Sequence, residues 1–113
     1  MSYYTYMLQC SDNTIYTGIA KDINKRMQEH FEKTPAAAKY TRSHSAARLL
    51  AVWQSSCRSD AAQLEYRIKQ LSRQRKLDLI ENNDLSFLDG NDEIEKYLRL
   101  YSESLIGRWK RPL

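Results

Sequence analysis

Tyr3-Tyr4-Thr5-Tyr6-Met7-Leu8-Gln9, then Ser11-Asp12-Asn13, then Ile15-Tyr16-Thr17-Gly18-Ile19 decide the fold. The first run is aromatic and alternating, as a half-buried strand is. Tyr4, Tyr6 and Leu8 share one face; Thr5 and Met7 share the other. Ser11-Asp12-Asn13 is a turn cluster, and Ile15–Ile19 reads as a second strand. The chain therefore opens with a β-hairpin that brings Tyr6 near Tyr16. Gly18 marks a place where backbone or ligand comes close.

Beyond the hairpin the periodicity changes. Asp22 can cap a helix running to about Lys33, with Ile23, Met27 and Phe31 as its apolar stripe. Arg26 and His30 fall on the edge of that stripe, one turn apart, and lean toward the sheet. A polar loop from Thr34 to His44 contains Lys39-Tyr40-Thr41-Arg42. Arg48–Trp53 reads as a third strand. Ser59 or Asp60 can cap a second helix striped by Ala61, Leu64, Ile68 and Leu71. Glu65 sits inside that stripe, where a carboxylate is costly without a partner or a metal. A salt bridge to Arg26 or Lys69 is one resolution and a cation is the other. Ser72 can cap a third helix to about Glu81, with Leu77 and Ile80 inward. Asn91 or Asp92 starts a last helix, with Ile94, Tyr97, Leu98, Tyr101 and Leu105 on one broad face. The expected organisation is one unit over 1–83 and a helical extension over 84–113, packed on it or appended to it.

A length of 113 residues fits one domain and leaves no room for a second of ordinary size. With 42% apolar residues the chain can bury a core without disulfides or metal. Its longest near-continuous apolar run, Leu49–Trp53, is far short of the ~20 residues of a membrane span. The opening residues show no basic segment followed by an apolar one. Cys10 and Cys57 have no metal-ligand spacing. The expected setting is cytoplasmic, with both thiols reduced. The net charge is +4, unevenly spread: residues 1–83 carry 13 basic and 8 acidic side chains, and residues 84–113 carry 5 and 6. Between Lys39 and Lys76 nine basic residues face only two acids, Asp60 and Glu65. Such a segment can meet phosphates or form an ordinary solvated surface, so charge alone does not decide.

The ordered residues are more specific. Tyr4-Thr5-Tyr6, then Tyr16-Thr17-Gly18, then Arg26 and His30 on the following helix, then Glu65 on a later one, resemble the GIY-YIG nuclease superfamily. The stretches Lys25-Arg-Met-Gln-Glu-His and Leu64-Glu-Tyr-Arg-Ile-Lys-Gln-Leu look like its small, stand-alone bacterial members. The resemblance covers about residues 3–82. It implies a compact α/β domain of the α+β type, with a three-stranded antiparallel sheet flanked by helices. It also implies an endonuclease that hydrolyses phosphodiesters at one divalent cation, Mg²⁺ or Mn²⁺. By the resemblance, Tyr16 is the general base or orienter of the attacking water and Tyr6 helps place water or phosphate. Arg26 steadies the scissile phosphate, His30 stands near the nucleophile or leaving group, and Glu65 is the protein's metal ligand.

A hard cation that keeps most of its waters needs only one or two carboxylates, and Arg26 suits a phosphate better than a lysine would. Two departures stand out. The first triplet lacks the motif's glycine and isoleucine. Ile19 occupies a position where some members carry lysine, with Lys21 close by. Asn82 or Asn83 is a candidate for an asparagine that assists in some members. The expected partner is nucleic acid, most simply DNA, with structured or damaged duplex as a candidate substrate. Lys39, Tyr40, Arg42, Lys69, Arg73 and Lys76 are the candidate contacts. Two rival readings remain: a nucleic-acid-binding module with little or no catalysis, and an interaction subunit that docks a partner or pairs with itself through 84–113.

Overall fold

The computed structural model describes residues 2–32 and 44–111. The hairpin is present: β1 (Tyr3–Cys10) pairs antiparallel with β2 (Ile15–Ala20). Asn13 turns the corner at a positive φ of 68°, a conformation asparagine tolerates. The Asp12 carboxylate accepts from the Thr14 amide at 3.2 Å and the Thr14 hydroxyl at 2.6 Å, which closes the turn. Next comes α1 (Ile23–Glu32), capped by Asp22, whose carboxylate accepts from the Lys25 amide at 3.2 Å. β3 (Ala46–Ser55) pairs with the free side of β1. Then follow α2 (Arg58–Lys69), α3 (Arg73–Asn82), the single-turn α4 (Asn91–Ile94) and β4 (Leu98–Leu100). The Ser72 hydroxyl caps α3 by accepting from the Arg75 amide at 3.2 Å. α2 starts at Arg58 after Cys57, earlier than a Ser59 or Asp60 cap would place it, and no side chain caps it.

The sheet has four strands in the order β2-β1-β3-β4, not the three expected. The fourth strand replaces part of the long last helix. Ile94, Tyr97, Leu98, Tyr101 and Leu105 have helical spacing, but they do not form one face. Tyr97 is buried, whereas Leu98 and Tyr101 are exposed. The reason is local. β3 is long and offers an unpaired edge, and three residues of β4 satisfy its backbone groups. Arg99 then reaches across, stacking on Trp53 and Tyr101 and donating to the carbonyls of Leu79 and Ile80 at the end of α3. The tail continues this pairing. The Leu49 amide donates to Trp109 O at 2.7 Å and the Arg111 amide to Ala47 O at 2.7 Å.

Both faces of β1 are covered, which is why Thr5, Tyr6, Met7 and Leu8 are all buried. Tyr6 and Leu8 pack with Ile23 and Met27 of α1. Met7 packs on the opposite face with Leu64, Ile68 and Leu79 of α2 and α3, joined by Leu85, Leu88 and Tyr97. Leu77, which the helical period places inward, is exposed, and Leu79 takes that place. Thr5 keeps its hydroxyl satisfied by donating to Ala61 O of α2 at 2.9 Å. That bond ties α2 to the central strand one turn before Glu65.

Candidate active site

The site is built around β2, an edge strand. In the β1–β2 ladder Tyr6 stands opposite Gly18. A Cβ at Gly18 would lie 2.6 Å from Tyr6 Oη, 2.8 Å from Tyr6 Cζ and 3.0 Å from Tyr16 Cε2. The Tyr6 ring therefore lies across the glycine, and Tyr16, two residues earlier on the same face, lies beside it. The Tyr6 and Tyr16 ring centroids are 6.3 Å apart. His30 of α1 completes the cluster edge-on, 5.6 Å from Tyr6 and 5.7 Å from Tyr16. The glycine is thus needed for space, not for backbone freedom. Gly18→Ala is expected to force the Tyr6 ring aside and cost about 1–3 kcal/mol, as overpacking does. Urea unfolding measures this, and a variant as stable as the parent would contradict the fit.

Tyr6 Oη and His30 Nε2 are 2.7 Å apart, a hydrogen bond between fully buried side chains. Burial first, and repulsion from Tyr16 second, push the Tyr6 phenol well above its ordinary range. A hydrogen bond from Arg26 pulls the other way and is outweighed. Burial, aided by the Arg26 charge, lowers His30 to about 4. Both groups are therefore neutral at pH 7. Tyr6 keeps its phenol proton and shares a hydrogen bond with Nε2, so the two form a neutral buried pair.

Arg26 is held by Glu29 across one helical turn, N–O 3.0 Å. Glu65 approaches from α2, which packs on the sheet face opposite α1, so the site wraps around the β2 edge. Glu65 is partly exposed, with 24% of its side-chain surface open, and Lys69 Nζ lies 3.4 Å from it. Of the two salt-bridge partners read from the sequence, Lys69 is the one present. The same ammonium lies 6.0 Å from the Tyr16 ring centroid. With Lys69 exposed and Glu65 partly open, the pair is worth little, about 0–1 kcal/mol, so it leaves the carboxylate available. No group of three or more His, Cys, Asp or Glu side chains clusters as a metal centre among the described residues. Glu65 offers a partly open carboxylate beside solvent. It fits a cation that retains its water shell and does not fit one that needs a closed cage of protein ligands.

The other candidates are scattered. Lys39, Tyr40 and Arg42 lie outside the described residues. Arg73 is exposed at the start of α3 and Lys76 is partly buried on it. Asn83 adopts a left-handed conformation at the end of α3, and its side chain accepts from Trp53 Nε1 at 2.9 Å. Sequence reading missed three things: the Thr5–Ala61 tie, the Glu29 clamp and the closeness of Lys69 to Tyr16. Glu29 and Lys69 had a signal in their spacing, three residues from Arg26 and four from Glu65. The Thr5 tie had none.

The comparisons with known proteins bear on the family. A family model for the GIY-YIG catalytic domain matches residues 2–78. A UPF0213 protein of Fusobacterium nucleatum is 41% identical over 96 residues, covering 85% of this chain and 93% of the relative. A UPF0213 protein of Oceanobacillus iheyensis is 44% identical over 79 residues, covering 70% of this chain and 90% of the relative. The solution NMR structure of the UPF0213 protein from Bacillus halodurans is 34% identical, covers 77% of this chain and 92% of that one, and superposes with a TM-score of 0.48. No helix among the described residues is long and apolar enough to cross a membrane. A hairpin that sets Tyr6 against Tyr16 over Gly18, with Arg26 and His30 on the next helix and the whole matched over residues 2–78, leaves one assignment: the chain belongs to the GIY-YIG family of nuclease-type catalytic domains.

Proposed function

We propose that the protein is an endonuclease that hydrolyses phosphodiester bonds in DNA, using a divalent cation, Mg²⁺ or Mn²⁺, held by Glu65. The observation that carries this reading is the meeting of Tyr6, Tyr16 and His30 in mutual ring contact, with Arg26 on Tyr6 and the Glu65–Lys69 pair beside Tyr16. When bound, the cation polarises the phosphoryl oxygen and lowers the pKa of coordinated water. The protein's own side chains supply the rest. Arg26 offers a planar fork of donors to the scissile phosphate, and Glu29 keeps that fork from swinging away. Tyr16, partly exposed on the edge strand, is the group in reach of solvent and orients the attacking water or takes its proton. Tyr6 and His30 hold each other in a dry, neutral pair behind it, which fixes the Tyr16 ring from one side. Structured or damaged duplex in repair or recombination is the candidate substrate class.

The test is a cleavage panel. Nicked, flapped and branched duplexes are incubated with the full chain in Mg²⁺ or Mn²⁺, with and without a chelator. Cleavage that needs the cation and stops with the chelator supports the reading. Intact products on every substrate with either metal would overturn it.

A further inference from the structure

The far end of the hairpin carries a second feature that the tyrosine cluster does not use. In the β1–β2 ladder Ile15 pairs with Gln9, and in the β1–β3 ladder Gln9 pairs with Arg48. Arg48 in turn bridges to Lys110 of the tail. Residues directly opposite on neighbouring strands point to the same face. Ile15, Gln9, Arg48 and Lys110 therefore form one row across the end of the sheet. The row begins at Ile15, on the sheet face opposite the one that carries Tyr6 and Tyr16, and spans three strand spacings, about 14 Å.

A groove of about 500 Å³ opens along this row. Gln9, Ser11, Asn13, Arg48, Lys110 and Arg111 are among its lining residues, and none of the described residues lining it carries a carboxylate. The nearest one in sequence, Asp12, is held by His44 Nδ1 at 2.5 Å and by Thr14. Arg111 is occupied structurally. Its Nε donates to Ala46 O at 2.5 Å, and its guanidinium stacks on Phe31 of α1. It anchors the tail and so sets Lys110 beside Arg48. Both of those side chains are exposed. Beside them the Gln9 amide donates to the Asn13 side-chain oxygen at 2.7 Å. The tail lies outside the residues matched by the family model, which end at 78.

We propose that this groove binds the phosphodiester backbone of the nucleic acid beyond the scissile bond, with Arg48 and Lys110 as phosphate contacts. The proposal rests on the reading of the protein as one that acts on nucleic acid. It gives the C-terminal tail a role: it sets Lys110 beside Arg48 as a contact for that backbone.

Binding tests this independently of cleavage. A labelled duplex is titrated with the full chain in the presence of a chelator, and fluorescence anisotropy is read at several salt concentrations. Each phosphate contact contributes a slope of about −0.9 to log K against log salt. Arg48→Gln/Lys110→Gln is expected to bind roughly tenfold more weakly at 0.1 M salt and to flatten the slope by about two. Lys110→Gln alone is expected to flatten it by about one. Circular dichroism and a thermal melt show that each variant is folded. Affinity and slope equal to those of the parent would overturn the groove, even if the parent cleaves DNA. Parent protein that fails to bind duplex at any salt would overturn it as well. A loss of binding in the variants would uphold the groove even if no substrate in the cleavage panel is cut.

Discussion

Glu65→Gln is expected to reduce cleavage by at least about 100-fold while leaving the fold intact. The side chain keeps its shape and loses only its charge. Glu65 is on the edge of the α2 stripe and partly open to solvent, so an amide there remains hydrated and creates no buried orphan. The ion pair with Lys69 is lost, at a cost of about 0–1 kcal/mol, because Lys69 is exposed and Glu65 is partly open to solvent. The functional loss is of another size. No group of three or more His, Cys, Asp or Glu side chains forms around Glu65 among the described residues. Removing its charge therefore removes the protein's hold on the cation. Lewis-acid assistance is worth several kcal/mol, and each 1.36 kcal/mol is tenfold in rate. Two measurements check this together. Single-turnover cleavage gives the fold-loss, and Mn²⁺-induced water relaxation reports whether the cation still binds. Glu65→Gln cleaving within about threefold of the parent would remove Glu65 from the role. Loss of both cleavage and Mn²⁺ binding, with an unchanged thermal melt, is the expected result.

Much of this site is legible before any coordinates. The hairpin follows from alternation in Tyr3–Gln9 and the turn at Ser11–Asn13. The place of Tyr16 opposite the β1 strand follows from loop length. Glu65 stands out because a carboxylate in an apolar stripe demands a partner, and Lys69 supplies one. The illegible parts share a physical cause. They depend on contacts between elements far apart in sequence, which no local period encodes. Gly18 reads as a close approach, but only the Tyr6–Gly18 register shows what approaches it. The residues from Ile94 to Leu105 have helical spacing. The open edge of β3 competes for the same backbone and wins for Leu98–Leu100. Local propensity is weak beside a row of unpaired backbone groups on a long strand. The same competition brings Lys110 to Arg48, and nothing in the sequence of the tail announces that pairing.

Acid is expected to destabilise the protein in a window set by His30. The sign follows from burial. In the unfolded chain His30 titrates at its ordinary value near 6.5, whereas in the fold it is lowered to about 4. Between those values the unfolded state binds a proton that the folded state refuses. Stability therefore rises with pH across the window and falls as pH drops from 6.5 toward 4. The full drop amounts to about 3 kcal/mol. Asp12 and Asp84, whose carboxyls are held low by hydrogen bonds chiefly from Thr14 and Ser86, release their stabilisation at lower pH, so the window belongs to His30. A charged His30 cannot accept from Tyr6 Oη, and it would sit as a second cation beside Arg26. Urea unfolding at steps from pH 7 to 4.5 should show the decline in the parent. His30→Gln can still hydrogen-bond Tyr6 but does not titrate, and it should show a shallower one. Should that variant fail to fold, imidazole NMR shifts in His44→Asn leave His30 as the only histidine to follow. Its ring should stay neutral down to about pH 5. A His30 that titrates near 6.5, or a His30→Gln variant with the parent's pH slope, would mean the Tyr6–His30 pair is neither as dry nor as neutral as its 2.7 Å contact and complete burial require.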